Sequence, residues 1–212
     1  MATIEHFEPQ LLAFIRQEMV QDPAHDLSHV ARVVTTARAL CAQEGANIDI
    51  VLPAAYLHDC YTFPKNHPDR AKSSLMAADK ATQFLNRIGY PEQCLGEIHH
   101  AICAHSYSAN ITPTTLEAQI VQDADRLDAL GAVGIARCLQ VSASFGSSLY
   151  HVDDPFCHQR ELDDKRYTVD HFYNKLFKLE AMMNTPAAKQ EAKRRTDYMK
   201  GFLAQLKGEI TP

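Results

Sequence analysis

The pair His58-Asp59 sets an imidazole beside a carboxylate at the end of an apolar run, Ala54-Ala55-Tyr56-Leu57. Successive side chains on a helix point about 100° apart, so neighbours can share one ion only from a helix edge or end. At an end, the two groups suit a divalent ion such as Mn²⁺, Fe²⁺, Co²⁺ or Zn²⁺. Taken alone, the pair reads first as a surface histidine beside a helix-ending aspartate. His29 stands four residues after His25 in His25-Asp26-Leu27-Ser28-His29, a spacing used by helix-borne metal ligands. Ser28, read as an N-cap, leaves His25 outside the helix as a supporting or substrate-side group. His29 is then either a ligand or a helix N-terminal histidine facing water. Further on, Asp123, Asp125 and Asp128 lie within Ile120-Val121-Gln122-Asp123-Ala124-Asp125-Arg126-Leu127-Asp128. Asp125 borders the apolar stripe, where a carboxylate needs a partner or a metal because burying a bare charge is costly. Asp128 reads as part of a solvated acidic face with an internal ion pair.

Helical periodicity supplies the elements that position these groups. Apolar residues recur at helical spacing over 4–19, and Asp22-Pro23 breaks the pattern. A second helix is expected from Ser28 to near Gly45, and a third over 50–60 with Pro53 in its first turn. A fourth uses Leu75 to Ile88 and stops at Gly89, and a fifth spans 92–105. A sixth runs from Leu116 to Leu130, weakens at Gly131 and Gly134, and resumes to about Ser144. The polar stretch 145–167 has no regular period and is expected to be a mobile or substrate-covering loop. Two more helices are expected over 169–183 and 186–206. With no sustained period-2 pattern and no internal repeat, the expected fold is all-α. It is a single helical bundle with a C-terminal helical pair packed on it. The aromatic residues of that pair recur at helical spacing and read as core, and oligomeric state is not readable from the pattern.

Composition narrows the function. A chain of 212 residues can bury a core without disulfides. A net charge of −5 with no basic run lacks the footprint of a nucleic-acid binder. No apolar stretch approaches the roughly 20 residues that cross a bilayer. The first nine residues have no basic n-region, so no signal peptide is expected. The six cysteines are scattered, without a C-x-x-C pair, which points to buried thiols in a reduced, cytoplasmic protein and away from a cysteine-based zinc site.

Together these pieces resemble the HD-domain superfamily of metal-dependent phosphohydrolases, in its small bacterial single-domain subgroup. The family pattern is a histidine opening one helix, a His-Asp doublet ending another, and a distant aspartate on a later helix. Here those are His29, in His29-Val30-Ala31-Arg32-Val33, the doublet His58-Asp59, and Asp125. The resemblance implies one HD-type domain over 1–212, with its core over about 11–134 and a C-terminal helical extension over about 169–206.

It also implies a metal held by His29, His58, Asp59 and Asp125. Mn²⁺ is the first expectation, with Co²⁺, Ni²⁺, Fe²⁺, Zn²⁺ and Mg²⁺ also suited. Such an ion lowers the pKa of a water and orients it for attack on phosphorus, with Asp59, or alternatively Asp125, as a proton acceptor. Two-metal members carry extra histidines. His105 matches one such position, but Ser73 stands near the other, which favours one metal and leaves His105 as a substrate-side acid or phosphate donor. Lys65 and Arg70, in the loop after the doublet, resemble phosphate-binding positions, and phosphate needs cations besides the metal. Single-metal nucleotidases often carry a glutamate where this chain has Thr62. The implied substrate is therefore a small phosphoester, a nucleoside di- or triphosphate before a 5′-monophosphate. The alternatives are a two-metal phosphodiesterase or dinucleoside polyphosphate hydrolase, and a non-catalytic module that binds nucleotide and metal to regulate.

Overall fold

The structure, a computed structural model, describes residues 3–19, 26–63 and 67–210. Among these the chain forms α1 (Ile4–Glu18), α2 (Leu27–Glu44), α3 (Ile48–Leu57), α4 (Ser73–Arg87), α5 (Glu92–His105), α6 (Leu116–Leu127), α7 (Gly131–Ser144), α8 (Thr168–Asn174) and α9 (Pro186–Ile210), with no strand. Short 3₁₀ segments cover Arg70–Lys72 and Leu176–Met182. The fold is all-α, and it divides into two units, Met1–Asp125 and Arg126–Pro212.

In the first unit α3 is the central element. Ile50, Val51, Leu52, Pro53, Ala54, Ala55 and Leu57 are all buried, so apolar residues cover every face, as an enclosed helix requires. It packs against α1, α2 and α5, and α4 packs on α5. Phe14 of α1 stacks on Phe84 of α4 with ring centroids 3.9 Å apart. This burial carries the end of α3 into the interior.

Several boundaries differ from the sequence expectation. α2 begins at Leu27, and its cap is Asp26, whose carboxylate accepts the backbone N–H of His29 at 2.7 Å. Ser28 is inside the helix, because an aspartate two residues earlier already satisfies the open N–H groups of the first turn. α3 begins at Ile48 behind the Asn47 cap, which puts Pro53 mid-helix rather than in the first turn. Leu75 is 44% exposed, and the buried stripe of α4 runs instead through Ser74, Ala77, Ala78, Ala81, Phe84 and Leu85.

In the second unit the helix expected to continue past Leu130 restarts instead. Gly131 takes the left-handed conformation (φ 73°), and a Cβ on Gly134 would lie 2.2 Å from the Ala129 carbonyl oxygen. Only glycine lets the two turns approach this closely. The first C-terminal helix breaks at Lys175, where 3₁₀ geometry takes over. Residues 145–167 are irregular but tied down. The Asp154 carboxylate accepts the backbone N–H groups of His158, Gln159 and Arg160. Arg160 in turn forms a two-pronged pair with the buried Asp170, both bonds at 2.6 Å. No helix among the described residues is long and apolar enough to cross a membrane.

Candidate metal centre

His58 caps α3 and is 1% exposed. Its Nδ1 donates to the Ala55 carbonyl at 2.9 Å. That bond puts the ring proton on Nδ1 and leaves the Nε2 lone pair facing inward. His29, held near the N-terminus of α2, brings its Nε2 to 3.2 Å from His58 Nε2. The same His29 atom lies 3.4 Å from Asp125 Oδ1 and 3.7 Å from Asp59 Oδ2. Asp59 Oδ2 is also 3.3 Å from His58 Nε2.

His105, the last residue of α5, repeats the arrangement of His58. Its Nδ1 donates to the Ile102 carbonyl at 2.6 Å, and its Nε2 stands 3.7 Å from Asp59 Oδ1. The donors form two groups that share His58: His29, His58 and Asp125, and His58, Asp59 and His105. Within each group, the ligand atoms all lie within 4.8 Å of one another. The two oxygens of Asp59 face different groups.

This donor set fits a divalent cation. Imidazole lone pairs and carboxylate oxygens are acceptors, and acceptors brought together in a buried place repel unless a proton or a metal lies among them. Ligands about 2.1 Å from a shared ion stand about 3.0–3.5 Å apart, and the contacts of His29 and His58 approximate that spacing. Nitrogen and oxygen donors without sulfur suit first-row divalent metals. Cys60 follows the doublet, yet its thiol donates to the Ala77 carbonyl, and burial pushes its pKa up to about 12. It is not a ligand.

The electrostatics follow from the same geometry. Burial works to raise the Asp125 pKa, but the His29 hydrogen bond and the charges of His29, His58 and His105 hold it well below the usual carboxylate range. Burial works to lower the His105 pKa, and the Asp59 carboxylate with help from Asp125 outweighs it and raises it.

The structure thus gathers His29, His58, Asp59, His105 and Asp125 in one place. Arg70 lies outside this cluster: its Nη1 donates to Thr62 Oγ1 at 2.9 Å and to the Phe63 carbonyl, bracing the loop after the doublet. Ser73 accepts the Phe63 backbone N–H in the same loop. His25 and Lys65 fall outside the described residues. Asp128 is buried and paired with Arg137 at 2.7 Å, not solvated as expected. Sequence reasoning also missed Gln122, a buried side chain whose amide donates to the Ala104 carbonyl at 2.7 Å and fixes the residue before His105. One signal was available, since Gln122 lies among residues of an apolar stripe.

Comparison with known proteins identifies the family. A family model described as the HD domain matches residues 26–130. The uncharacterized protein YpgQ of Bacillus subtilis (strain 168) is 32% identical over 194 residues, covering 90% of this chain and 86% of that one. The chain belongs to the HD-domain family. All five gathered residues lie inside the matched HD segment. The crystal structure of Bacillus subtilis YpgQ in complex with ADP superposes with a TM-score of 0.75 at 29% identity, covering 98% of this chain and 96% of that one. An HD-superfamily hydrolase from Bacillus thuringiensis superposes with a TM-score of 0.76 at 32% identity, covering 99% and 100% of the two chains.

Proposed function

We propose that this HD-domain protein is a metal-dependent phosphohydrolase acting on a nucleoside di- or triphosphate. The observation that carries the reading is the convergence of His29, the His58-Asp59 doublet and Asp125 from three separate parts of the chain, with His105 on the far oxygen of Asp59. The nucleotide class is supported by the relative YpgQ, crystallised with ADP.

His29, His58, Asp59 and Asp125 would hold the ion, Mn²⁺ in first place. Bound there, it supplies Lewis-acid chemistry, offsetting phosphoryl charge and acidifying water. The carbonyls of Ala55 and Ile102 hold the His58 and His105 rings with Nε2 toward the site. Asp59 accepts the proton of the attacking water, and His105 donates one to the leaving phosphate or binds it. The water oxygen joins phosphorus, and the bridging oxygen leaves with the product. Lys65, Arg70 and His25 are proposed on the phosphate side. The HD segment crosses the division between the two units, which supports treating 1–212 as one HD-type domain with a C-terminal extension. All six cysteines are free thiols, five of them buried, in keeping with a reduced cytoplasmic setting.

One observation favours a second reading. The group His58, Asp59 and His105 offers donors for a second ion, with Asp59 as the bridge. Two ions per chain would indicate the two-metal phosphodiesterase or dinucleoside polyphosphate class.

The test is an assay of chelator-stripped protein reloaded with Mn²⁺, Co²⁺, Ni²⁺ or Mg²⁺. Substrates are nucleoside mono-, di- and triphosphates and a generic phosphodiester, with Asp59→Ala as control and bound metal counted per chain. Metal-dependent release of phosphate or pyrophosphate, absent in the control, is the expected result. Metal binding without turnover would assign a regulatory binding module, and a wild type that binds no metal would overturn the reading.

A further inference from the structure

The second unit contains a cavity of about 340 Å³ that none of the metal-site residues line. One wall is the face of α9 that presents Lys200, Leu203, Ala204 and Lys207. These four positions follow the i, i+3, i+4, i+7 rule, so they share one face, apolar in the middle and cationic at both ends. The rest of the lining is mainly aromatic. Tyr173 of α8 and Phe177 meet edge to face with centroids 5.5 Å apart. Phe156 of the 145–167 segment completes the lining beside His158, and the Lys207 ammonium stands 5.9 Å from the Phe156 ring centroid.

The Tyr173 hydroxyl, the His158 imidazole and the Lys200 ammonium of this lining make no side-chain hydrogen bond among the described residues, although Asp197 lies within charge range of Lys200 and Asp154 of His158. No carboxylate lines the cavity. An apolar hollow with a few polar groups at its edge is the usual form of a small-molecule site, and volumes of about 300 Å³ and above are typical. The flat rings favour a planar ligand, packed offset or edge-on. The lysines and the imidazole favour negative charge at its end.

We propose that this cavity binds a small aromatic anion, a planar ring carrying a phosphate or a carboxylate. The proposal is independent of the metal chemistry. Its ring lies against Phe156, Tyr173 and Phe177, and its anionic group is held by Lys200, with His158 in the same lining. A nucleoside monophosphate and a simple aromatic acid share this chemistry, and the test separates them.

The experiment titrates the full chain, with divalent metal chelated so that the metal centre does not capture phosphate. The probes are phenyl phosphate, AMP and benzoate, with inorganic phosphate and benzyl alcohol as half-ligands. Binding is followed by calorimetry and by the ring resonances of Tyr173 and Phe177. The wild type is expected to bind at least one aromatic anion tenfold or more tightly than either half-ligand, with shifts at both rings. Lys200→Glu, an exposed substitution that leaves the core intact, is expected to weaken that binding at least tenfold. Lys189→Glu, on the same helix but outside the lining, controls for net charge and is expected to bind as wild type. Preference for AMP identifies a nucleotide site, and preference for phenyl phosphate or benzoate a simple aromatic acid. No binding by the wild type, or equal binding by Lys200→Glu, overturns the proposal. Self-association of the wild type that Lys200→Glu abolishes would assign the cavity to a second copy of the chain and overturn it as well.

Discussion

The Tyr90 hydroxyl donates a 2.6 Å hydrogen bond to the backbone carbonyl of Asp49. That carbonyl is the one Pro53 leaves open, because proline four residues on has no N–H to give it. Tyr90 is 4% exposed, so water has little access to take its place. Burial, with help from Asp49, raises the Tyr90 pKa well above the ordinary phenol range, so the hydroxyl stays a donor. The bond therefore repairs the helix whose far end carries His58 and Asp59. Tyr90→Phe should cost about 1–2 kcal/mol, the price of an unmet buried acceptor. Urea unfolding checks this through a lower midpoint at unchanged slope, with metal content per folded chain unaltered.

Metal and stability should be linked at the candidate centre. An ion that binds only the folded chain stabilises it by about 2.7 kcal/mol at a hundredfold excess over its dissociation constant. Mn²⁺ should therefore raise the Tm, and a chelator should return it. Asp125→Asn, which keeps the shape but removes the charge, should abolish most of that rise and the turnover with it. His105→Ala should keep the rise and lose turnover by about a hundredfold or more, as befits a proton donor rather than a ligand. If His105→Ala instead halves the metal bound per chain, the two-metal reading is favoured.

The legible parts of the sequence were those with a local cause. α3 is apolar all round, so its burial and the interior placement of the doublet after it follow from composition over ten residues. Helix ends marked by glycine are equally local: Gly45 closes α2 with φ 71° and an N–H to the Cys41 carbonyl. The opposite case is a choice between two competent neighbours, as with Asp26 and Ser28, where either side chain can cap and only the backbone angles decide. Partnerships across the chain leave no periodic trace. Nothing in the spacing couples Asp128 to Arg137 rather than to Arg126, or Gln122 to the Ala104 carbonyl. The candidate centre has both characters. Each of its residues has a donor type and a place at or near a helix end or an apolar stripe, but the 3.2 Å meeting of His29 with His58 depends on how α2 and α3 pack.

A pH effect should come from Glu191. Its hydrogen bond to Arg194, then its bond to Arg195, lower its pKa to about 2, against the opposing effect of burial. A depressed folded-state pKa means the unfolded chain binds the proton more readily. The stability is thus complete above the unfolded value of about 4.3, and it is lost as pH falls towards 2. The carboxylate is partly exposed and its Arg194 partner is open to water, so its worth is about 0.5–1 kcal/mol after screening. Glu191→Gln should lower the unfolding free energy at pH 7 by that amount and by much less near pH 2, where the carboxylate is already part-protonated, and high salt should narrow the difference. Arg195 also donates to the Leu127 carbonyl at 2.6 Å, so replacing the arginine should cost more than replacing the glutamate.

The pair between Arg160 and Asp170 should carry a far larger share of the second unit's stability. Asp170 is 0% exposed, and its carboxylate takes two guanidinium bonds and the backbone N–H of Asp163 at 2.7 Å. A carboxylate in that position is tolerable only while those donors are present. Arg160→Ala strands it and should cost about 3–5 kcal/mol. Asp170→Asn keeps an acceptor for Asp163 but loses the charge, and should cost less than Arg160→Ala. The double variant Arg160→Ala with Asp170→Asn should be more stable than Arg160→Ala alone, because the stranded charge is gone. A double-mutant cycle by chemical denaturation reads this directly. Additive costs would mean that the pair is not coupled and that the ordering of residues 145–167 rests on Asp154 instead.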